Sequence, residues 1–323
     1  MDKVEVYQEI LEDAISKIAF PSSPKNLYNP LRYFLKISGK RTRPTLTMLG
    51  CSLYGEDGIK ALNTAIAIEL FHNFTLIHDD IMDEAPLRRG QQTVHEKWNS
   101  DIGILSGDTL FTIAVEYLAK NDREIIPDLI NVFTRTSREV CEGQQLDMDF
   151  ETLTEVSIDD YIEMIRLKTS VLIGAALEMG AIVAGVKDKD EIQKIYTFGL
   201  NVGLAFQIQD DLLDLYSESG KFGKQKGGDI LANKKTFLLL KAFELASEEQ
   251  KDALNHALSD LQGNEKIIAV KTIFDALNIK EEAEKLKNQF YQLALKQMDA
   301  VQVPNKNKSE LLKLAESLMS RDF

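Results

Sequence analysis

Leu76-Ile77-His78-Asp79-Asp80-Ile81-Met82-Asp83 runs straight into Glu84-Ala85-Pro86-Leu87-Arg88-Arg89-Gly90, and the reading of the chain turns on this stretch. The apolar run before it reads as a helix from about Ala61 to Asp83. Residues four apart share a helix face, so Asp79 and Asp83 point the same way with Asp80 beside them. Three crowded carboxylates repel one another, and a divalent cation relieves that repulsion. Oxygen ligands with no cysteine in the set suit Mg²⁺, which usually brings a phosphorylated substrate with it. Arg88 and Arg89, just past Pro86, offer forked donors to such a phosphate. One cluster alone is better read as a solvated acidic helix end.

A second cluster changes the balance. Asp210-Asp211-Leu212-Leu213-Asp214 repeats the spacing on another apolar run, Val202-Gly203-Leu204-Ala205-Phe206. The 323 residues include only seven prolines and eighteen glycines, with 44% hydrophobic residues, enough for a sizeable helical core. A net charge of −13 argues against nonspecific nucleic-acid binding. It also makes each local cluster of cations informative. Cys51 and Cys141 read as small core residues in a reduced, cytoplasmic setting. No signal-peptide pattern opens the sequence and no apolar run is long enough for a membrane span.

The chain reads as helix almost throughout. Val6, Ile10, Ala14 and Ile18 mark an amphipathic helix over 3–20. A shorter one covers 27–37, and Gly39-Lys40-Arg41-Thr42-Arg43-Pro44 then packs three cations ahead of a helix that Pro44 starts. This segment is either an anion site or an ordinary basic turn. His72 lies two turns before Asp79. Residues 90–99 read as loop. Further helices are expected near 101–120, 124–145, 158–184, 188–217, 229–246, 248–261, 265–275, 279–299 and 306–320, the second of these closing at Gly143-Gln144-Gln145-Leu146-Asp147. Lys168-Thr169 interrupts an apolar face, where a lysine needs an anionic partner. Gln207 precedes the second acidic cluster, and Lys221, Lys224, Lys226, Lys234 and Lys235 follow it. No linker, repeat or low-complexity run divides the chain, so a single domain over 1–323 is expected.

Taken in order, these motifs resemble those of the trans-isoprenyl diphosphate synthases, the polyprenyl synthetase family. They are Gly39 to Pro44, Asp79 to Asp83 with Leu87-Arg88-Arg89-Gly90, Gly143-Gln144, Lys168-Thr169, Gln207 to Asp214, and Gly227-Gly228-Asp229-Ile230 leading to Asn233-Lys234-Lys235-Thr236. The resemblance implies an all-α bundle of long antiparallel helices around a deep central cavity. It implies that the two acidic clusters face each other and that three Mg²⁺ bridge them through an allylic diphosphate. Asp79, Asp83 and Asp210 are then metal ligands, with Asp80, Asp211 and Asp214 in support. Arg88, Lys168, Lys224 and Lys234 would hold the allylic diphosphate, with Gln144 and Asp147 nearby. Lys40, Arg43, His72 and Arg89 would hold isopentenyl diphosphate. Arg41 adds charge to that site. Thr169 and Gln207 would offer oxygen dipoles to the carbocation, and Arg321 would fold back over the diphosphates. A homodimer is expected.

By the same resemblance, the residues four and five before the first aspartate, Thr75 and Phe74, set product length. Bulky Phe74 without an insertion between the aspartate pairs fits geranylgeranyl diphosphate (C20), with farnesyl diphosphate (C15) next and longer products after that. Helical angle alone places Thr75 nearer the face of Asp79. Gln92 stands where the family usually has proline. Two other classes compete: a class I terpene cyclase, which needs no second diphosphate site, and a non-catalytic synthase subunit, which would have lost site residues.

Overall fold

The structure is a computed structural model that describes residues 2–37, 39–217 and 227–320. In chain order the helices are α1 (Lys3–Ser16), α2 (Lys25–Leu35), α3 (Thr42–Leu53) and α4 (Leu62–Met82). A ribbon of β1 (Leu87–Arg88) and β2 (Gln91–Gln92) follows, then α5 (Val94–Lys97), α6 (Ser100–Leu118) and α7 (Ile126–Thr152). Next come α8 (Ile158–Ile165), a π turn over Arg166–Ser170, α9 (Val171–Val183) and α10 (Lys189–Tyr216). The rest is α11 (Gly228–Leu231), α12 (Phe237–Leu245), α13 (Glu248–Asp260), α14 (Gly263–Ala276), α15 (Ile279–Ala300) and α16 (Asn305–Met319). The all-α expectation holds.

The helices gather into two compact units, each built from three stretches of chain. The first takes Met1–Arg135, Ala175–Tyr196 and Val301–Leu314; the second takes Thr136–Gly174, Thr197–Ala300 and Ala315–Phe323.

In the first unit α4 packs against α1, α3 and α6. A helix apolar nearly all round belongs inside, and α4 buries Ala65, Ile66, Ile68, Leu70 and Phe71. Near its aspartates α6 comes close: a Cβ at Gly107 would lie 2.3 Å from His78 Nε2. At the outer end α1 is started by a capping box, Asp2 accepting from Val4 N–H while Glu5 accepts from the Asp2 N–H.

In the second unit α8, α10, α12 and α13–α15 share one apolar cluster. Tyr161, Ile165, Ile208, Leu212, Leu238, Leu254, Phe274 and Ala283 are among its buried members. α10 thus presents an apolar stripe inward and carries its acidic residues beside it.

Several boundaries differ from the sequence reading. α1 ends at Ser16, not near 20, and α3 starts at Thr42, two residues before Pro44. α7 does not close at Gly143 but runs on to Thr152. The expected helix 229–246 breaks in two because Asn233 takes a left-handed φ of 54°. The loop 90–99 holds β2 and α5. Cys51 is buried as expected, but Cys141 is exposed on α7 and is no core residue.

Candidate active site

The first unit gathers cations around α4. Arg88 sits on β1, whose register pairs Leu87 with Gln92 and Arg88 with Gln91. The turn between the strands needs two left-handed residues, and Arg89 (φ 51°) and Gly90 (φ 74°) provide them. Folded back in this way, Arg88 grips Asp80. Its Nε lies 2.8 and 2.9 Å from the two carboxylate oxygens, and its Nη2 lies 2.7 Å from Oδ1. Asp80 is 1% exposed, and burial pushes its pKa up against the opposing pull of Arg88. Asp80 therefore anchors the arginine, while Asp79 is half-buried and Asp83 exposed. Arg88 Nη2 is 3.8 Å from Asp79 Oδ2.

His72 accepts a hydrogen bond at Nε2 from Arg43 Nη1, 3.2 Å away. Arginine only donates, so the imidazole is neutral with its proton on Nδ1. Burial holds its pKa well below 6.5, and the guanidiniums of Arg43, Arg89, Arg88 and Arg41 lower it further. Four arginines acting on one imidazole mark a region that favours an anion. Arg89 passes so near Gly39 that a Cβ there would fall 2.3 Å from Arg89 Nη1.

Arg41 is different from its neighbours. It is 4% exposed and left-handed (φ 45°) at the start of α3. Its guanidinium donates to Glu12 Oε1 (2.8 Å) on α1, Glu69 Oε1 (2.6 Å) on α4 and the Leu35 carbonyl (3.1 Å) on α2. Asn73 also donates to Glu69 Oε1, at 2.9 Å. Gln8 on α1 donates to the Lys40 carbonyl at 2.8 Å. The charge read in the sequence as part of an anion site is thus spent inside the fold, fixing the loop that carries Lys40 and the first turn of α3 that carries Arg43.

Phe74 belongs to an aromatic cluster. Its ring centroid lies 4.7 Å from that of His78, 5.4 Å from Phe111 and 5.6 Å from Phe71, and Phe133 meets Phe71 edge-on at 5.2 Å and Phe111 at a tilt at 5.6 Å. Thr75 instead turns its hydroxyl to the His72 carbonyl of its own helix, at 2.8 Å.

The second unit holds the other acidic set. Lys168 Nζ meets Asp147 Oδ2 at 2.5 Å, which is the anionic partner its setting required. Thr169 Oγ1 donates to Gln207 Oε1 at 3.1 Å, and Gln207 Nε2 donates to Asp211 Oδ1 at 3.2 Å. The other oxygen of Asp211 accepts from the Tyr161 hydroxyl at 2.5 Å. Asp211 is 4% exposed; burial pushes its pKa well up, and Asp229 adds to that. Burial and Asp211 likewise push Tyr161 up, so the phenol keeps its proton and donates. Asp214 accepts the N–H of Asp229 at 3.2 Å and so fixes the start of α11. Asp211, Asp214, Asp229, Lys234 and Thr236 line a small cavity together with Leu215, Leu238 and Phe274. Asp210 is half-buried. Gln144 has a buried Nε2 with no hydrogen-bond partner among the described residues, a donor held ready for an acceptor.

Sequence reasoning missed Tyr161, whose only signal was a tyrosine on the apolar face of α8. It quoted Asp229 within a motif without giving it a role. Lys235 donates to the Phe150 and Leu153 carbonyls and closes the end of α7. Lys221, Lys224, Lys226 and Arg321 lie outside the described residues.

The polyprenyl synthetase family model matches residues 24–277. The geranylgeranyl pyrophosphate synthase of Geoglobus acetivorans is 38% identical over 317 residues, 97% of each chain. The chain belongs to the polyprenyl synthetase family. As such it is a prenyltransferase, and the terpene cyclase and non-catalytic subunit readings fall away. A crystal structure of a geranylgeranyl pyrophosphate synthase matches this polyprenyl synthetase with a TM-score of 0.90 at 40% identity, covering 100% of each chain. A second solved structure matches with a TM-score of 0.88 at 28% identity, covering 99% of this chain and 96% of its own. It is a polyprenyl synthase from Caulobacter crescentus CB15 complexed with calcium and isoprenyl diphosphate.

The donor set fits a hard divalent cation. Among the described residues no three His, Cys, Asp or Glu side chains converge into a self-sufficient metal cage. Mg²⁺ needs none, because it keeps several waters and takes one or two carboxylates plus substrate phosphates.

Proposed function

We propose that this polyprenyl synthetase is a Mg²⁺-dependent short-chain prenyltransferase that condenses isopentenyl diphosphate with an allylic diphosphate, to a C20 ceiling. The observation that carries the reading is the concentration of donors on α4, β1 and the loop before α3, in a chain of net charge −13. Asp79, Asp83 and Asp210 are the proposed metal ligands. Asp80, Asp211 and Asp214 support them, Asp80 by holding Arg88. Bound Mg²⁺ would neutralise the charge that collects on the diphosphate as the allylic C–O bond breaks.

The rest of the chemistry belongs to the protein. Arg88, Lys168 and Lys234, with the Gln144 amide, hold the allylic diphosphate. Lys40, Arg43, His72 and Arg89 hold isopentenyl diphosphate, with His72 fixing Arg43. Thr169 gives its proton to Gln207, so its oxygen lone pairs remain for the allylic cation. The double bond of isopentenyl diphosphate attacks that cation, a carbon–carbon bond forms, and a proton leaves to the departing diphosphate. Apolar walls keep out the water that would quench the cation.

The bulk of the Phe74 cluster supports the C20 limit. The proposed assembly is a homodimer; Ile104 and Leu105 on α6 are 44% and 58% exposed, and Leu105→Glu is expected to yield monomers on gel filtration. The test of the whole reading is Asp79→Asn. Condensation should fall by about two orders of magnitude or more, with far-UV circular dichroism unchanged. Wild-type turnover in the variant would remove Asp79 from the metal site.

A further inference from the structure

The helical run from Ile158 to Val183 is not regular. Over Arg166–Ser170 it widens into a π turn, and the Val171 N–H bonds to the Arg166 carbonyl five residues back. π turns are rare and persist where the surroundings hold them. This one carries Lys168 and Thr169.

Two helices press on it through glycines. A Cβ at Gly143, on α7, would lie 2.2 Å from Lys168 N, 2.7 Å from Leu167 C and 2.7 Å from Lys168 Cα. A Cβ at Gly203, on α10, would lie 2.7 Å from Ser170 Cα and 2.8 Å from Ser170 Cβ. The Gly143 contacts are all with backbone atoms, so no rotamer change relieves them. Inside the turn the Ser170 hydroxyl donates to the Ile165 carbonyl at 3.2 Å.

The spacing repeats on both helices. Asp147 follows Gly143 by four residues and Gln207 follows Gly203 by four, and such pairs share a helix face. Each helix therefore touches the backbone of the turn with a glycine. One helical turn later it meets a side chain of the turn: Asp147 meets Lys168 and Gln207 meets Thr169.

We propose that Gly143, Gly203 and Ser170 are positioning residues for ionisation of the allylic substrate: they fix the register of the π turn and thereby the aim of Lys168 and Thr169. The proposal rests on the prenyltransferase reading. Regular α-helix through this segment would rotate Lys168 and Thr169 relative to Asp147 and Gln207. Small misplacements at a reacting centre are costly in rate.

The experiment is steady-state kinetics on the full chain with Mg²⁺, isopentenyl diphosphate and geranyl diphosphate. In Gly143→Ala and Gly203→Ala, KM for geranyl diphosphate should rise roughly tenfold or more and kcat should fall. KM for isopentenyl diphosphate should stay within about twofold of wild type. Ser170→Ala adds no atom and carries the test where a glycine variant fails to fold, with an expected rise of about threefold in the allylic KM alone. Folded variants with wild-type constants, or with both KM values raised alike, overturn the proposal. A wild-type protein that condenses nothing would instead sink the functional reading on which it rests, and the two failures are told apart by the wild-type control.

Discussion

His72 and Arg41 show how the same charge can serve two ends. His72 is neutral because Arg43 must donate to it, and its pKa is depressed by burial and by four arginines. The sign of the linkage follows. In the unfolded chain the imidazole titrates near 6.5, so below that pH the unfolded state binds the extra proton. The stabilisation is present above pH 6.5 and is lost as pH falls. Asp80 works in the opposite direction, because its folded pKa is raised. Comparing wild type with His72→Gln cancels that background. Urea melts from pH 7 to pH 5 should show wild type losing up to about 1.4 kcal/mol per pH unit more than the variant. Parallel curves would mean that His72 is not a buried neutral group. Arg41 answers to a different measurement. With its partner Glu69 it forms a buried pair, and removing one member of such a pair costs about 3–5 kcal/mol. Arg41→Met should lose about that much in urea unfolding, and Glu12→Gln, whose side chain is 48% exposed, much less. The spacing Gly39 to Pro44 announced cations. It did not announce that the middle one faces inward, because its partners Glu12 and Glu69 lie on helices remote in sequence.

At the scale of elements, helix content was legible because apolar periodicity runs through nearly the whole chain. Exceptions to regularity were not. Gly143 read as a helix end, since glycine weakens helices. Its missing side chain in fact makes room for the backbone of Lys168, so α7 continues. The π turn left no mark in hydrophobic pattern, and Asn233 looked like any polar helix residue until its left-handed φ split the segment. The aromatic cluster on α4, α6 and α7 was half legible. Phe74 could be named, but Phe111 and Phe133 come from other helices. Their packing gives a graded prediction. Phe74→Ala should lengthen the main product by one or more isoprene units, and Phe74→Ala/Phe111→Ala should lengthen it further, read by chromatography of dephosphorylated products. Equal chain lengths in wild type and both variants would place the length limit elsewhere. Thr75→Ala should leave length unchanged, since Thr75 bonds within its own helix.

The whole chain is acidic, and within the first unit Arg41, Arg43, Arg88 and Arg89 all act on His72. In a chain of charge −13, Lys40, Arg43, Arg88, Arg89 and Lys168 stand out against their sequence surroundings, which is why the proposed site could be named there. Two carboxylate clusters with one spacing supplied the other half of the signal. The supporting contacts of Asp80, Asp211 and Asp214 could not be read, because each depends on a partner brought in by folding: Arg88, Tyr161 and Asp229. The central claim is a C20-limited condensation, and the measurement that reaches it most directly is product length. Purified protein would be incubated with Mg²⁺, labelled isopentenyl diphosphate and, in separate reactions, dimethylallyl, geranyl or farnesyl diphosphate. Accumulation of the same C20 product from every primer is the expected result. No condensation from any primer, or products that grow well past C20, would contradict the account.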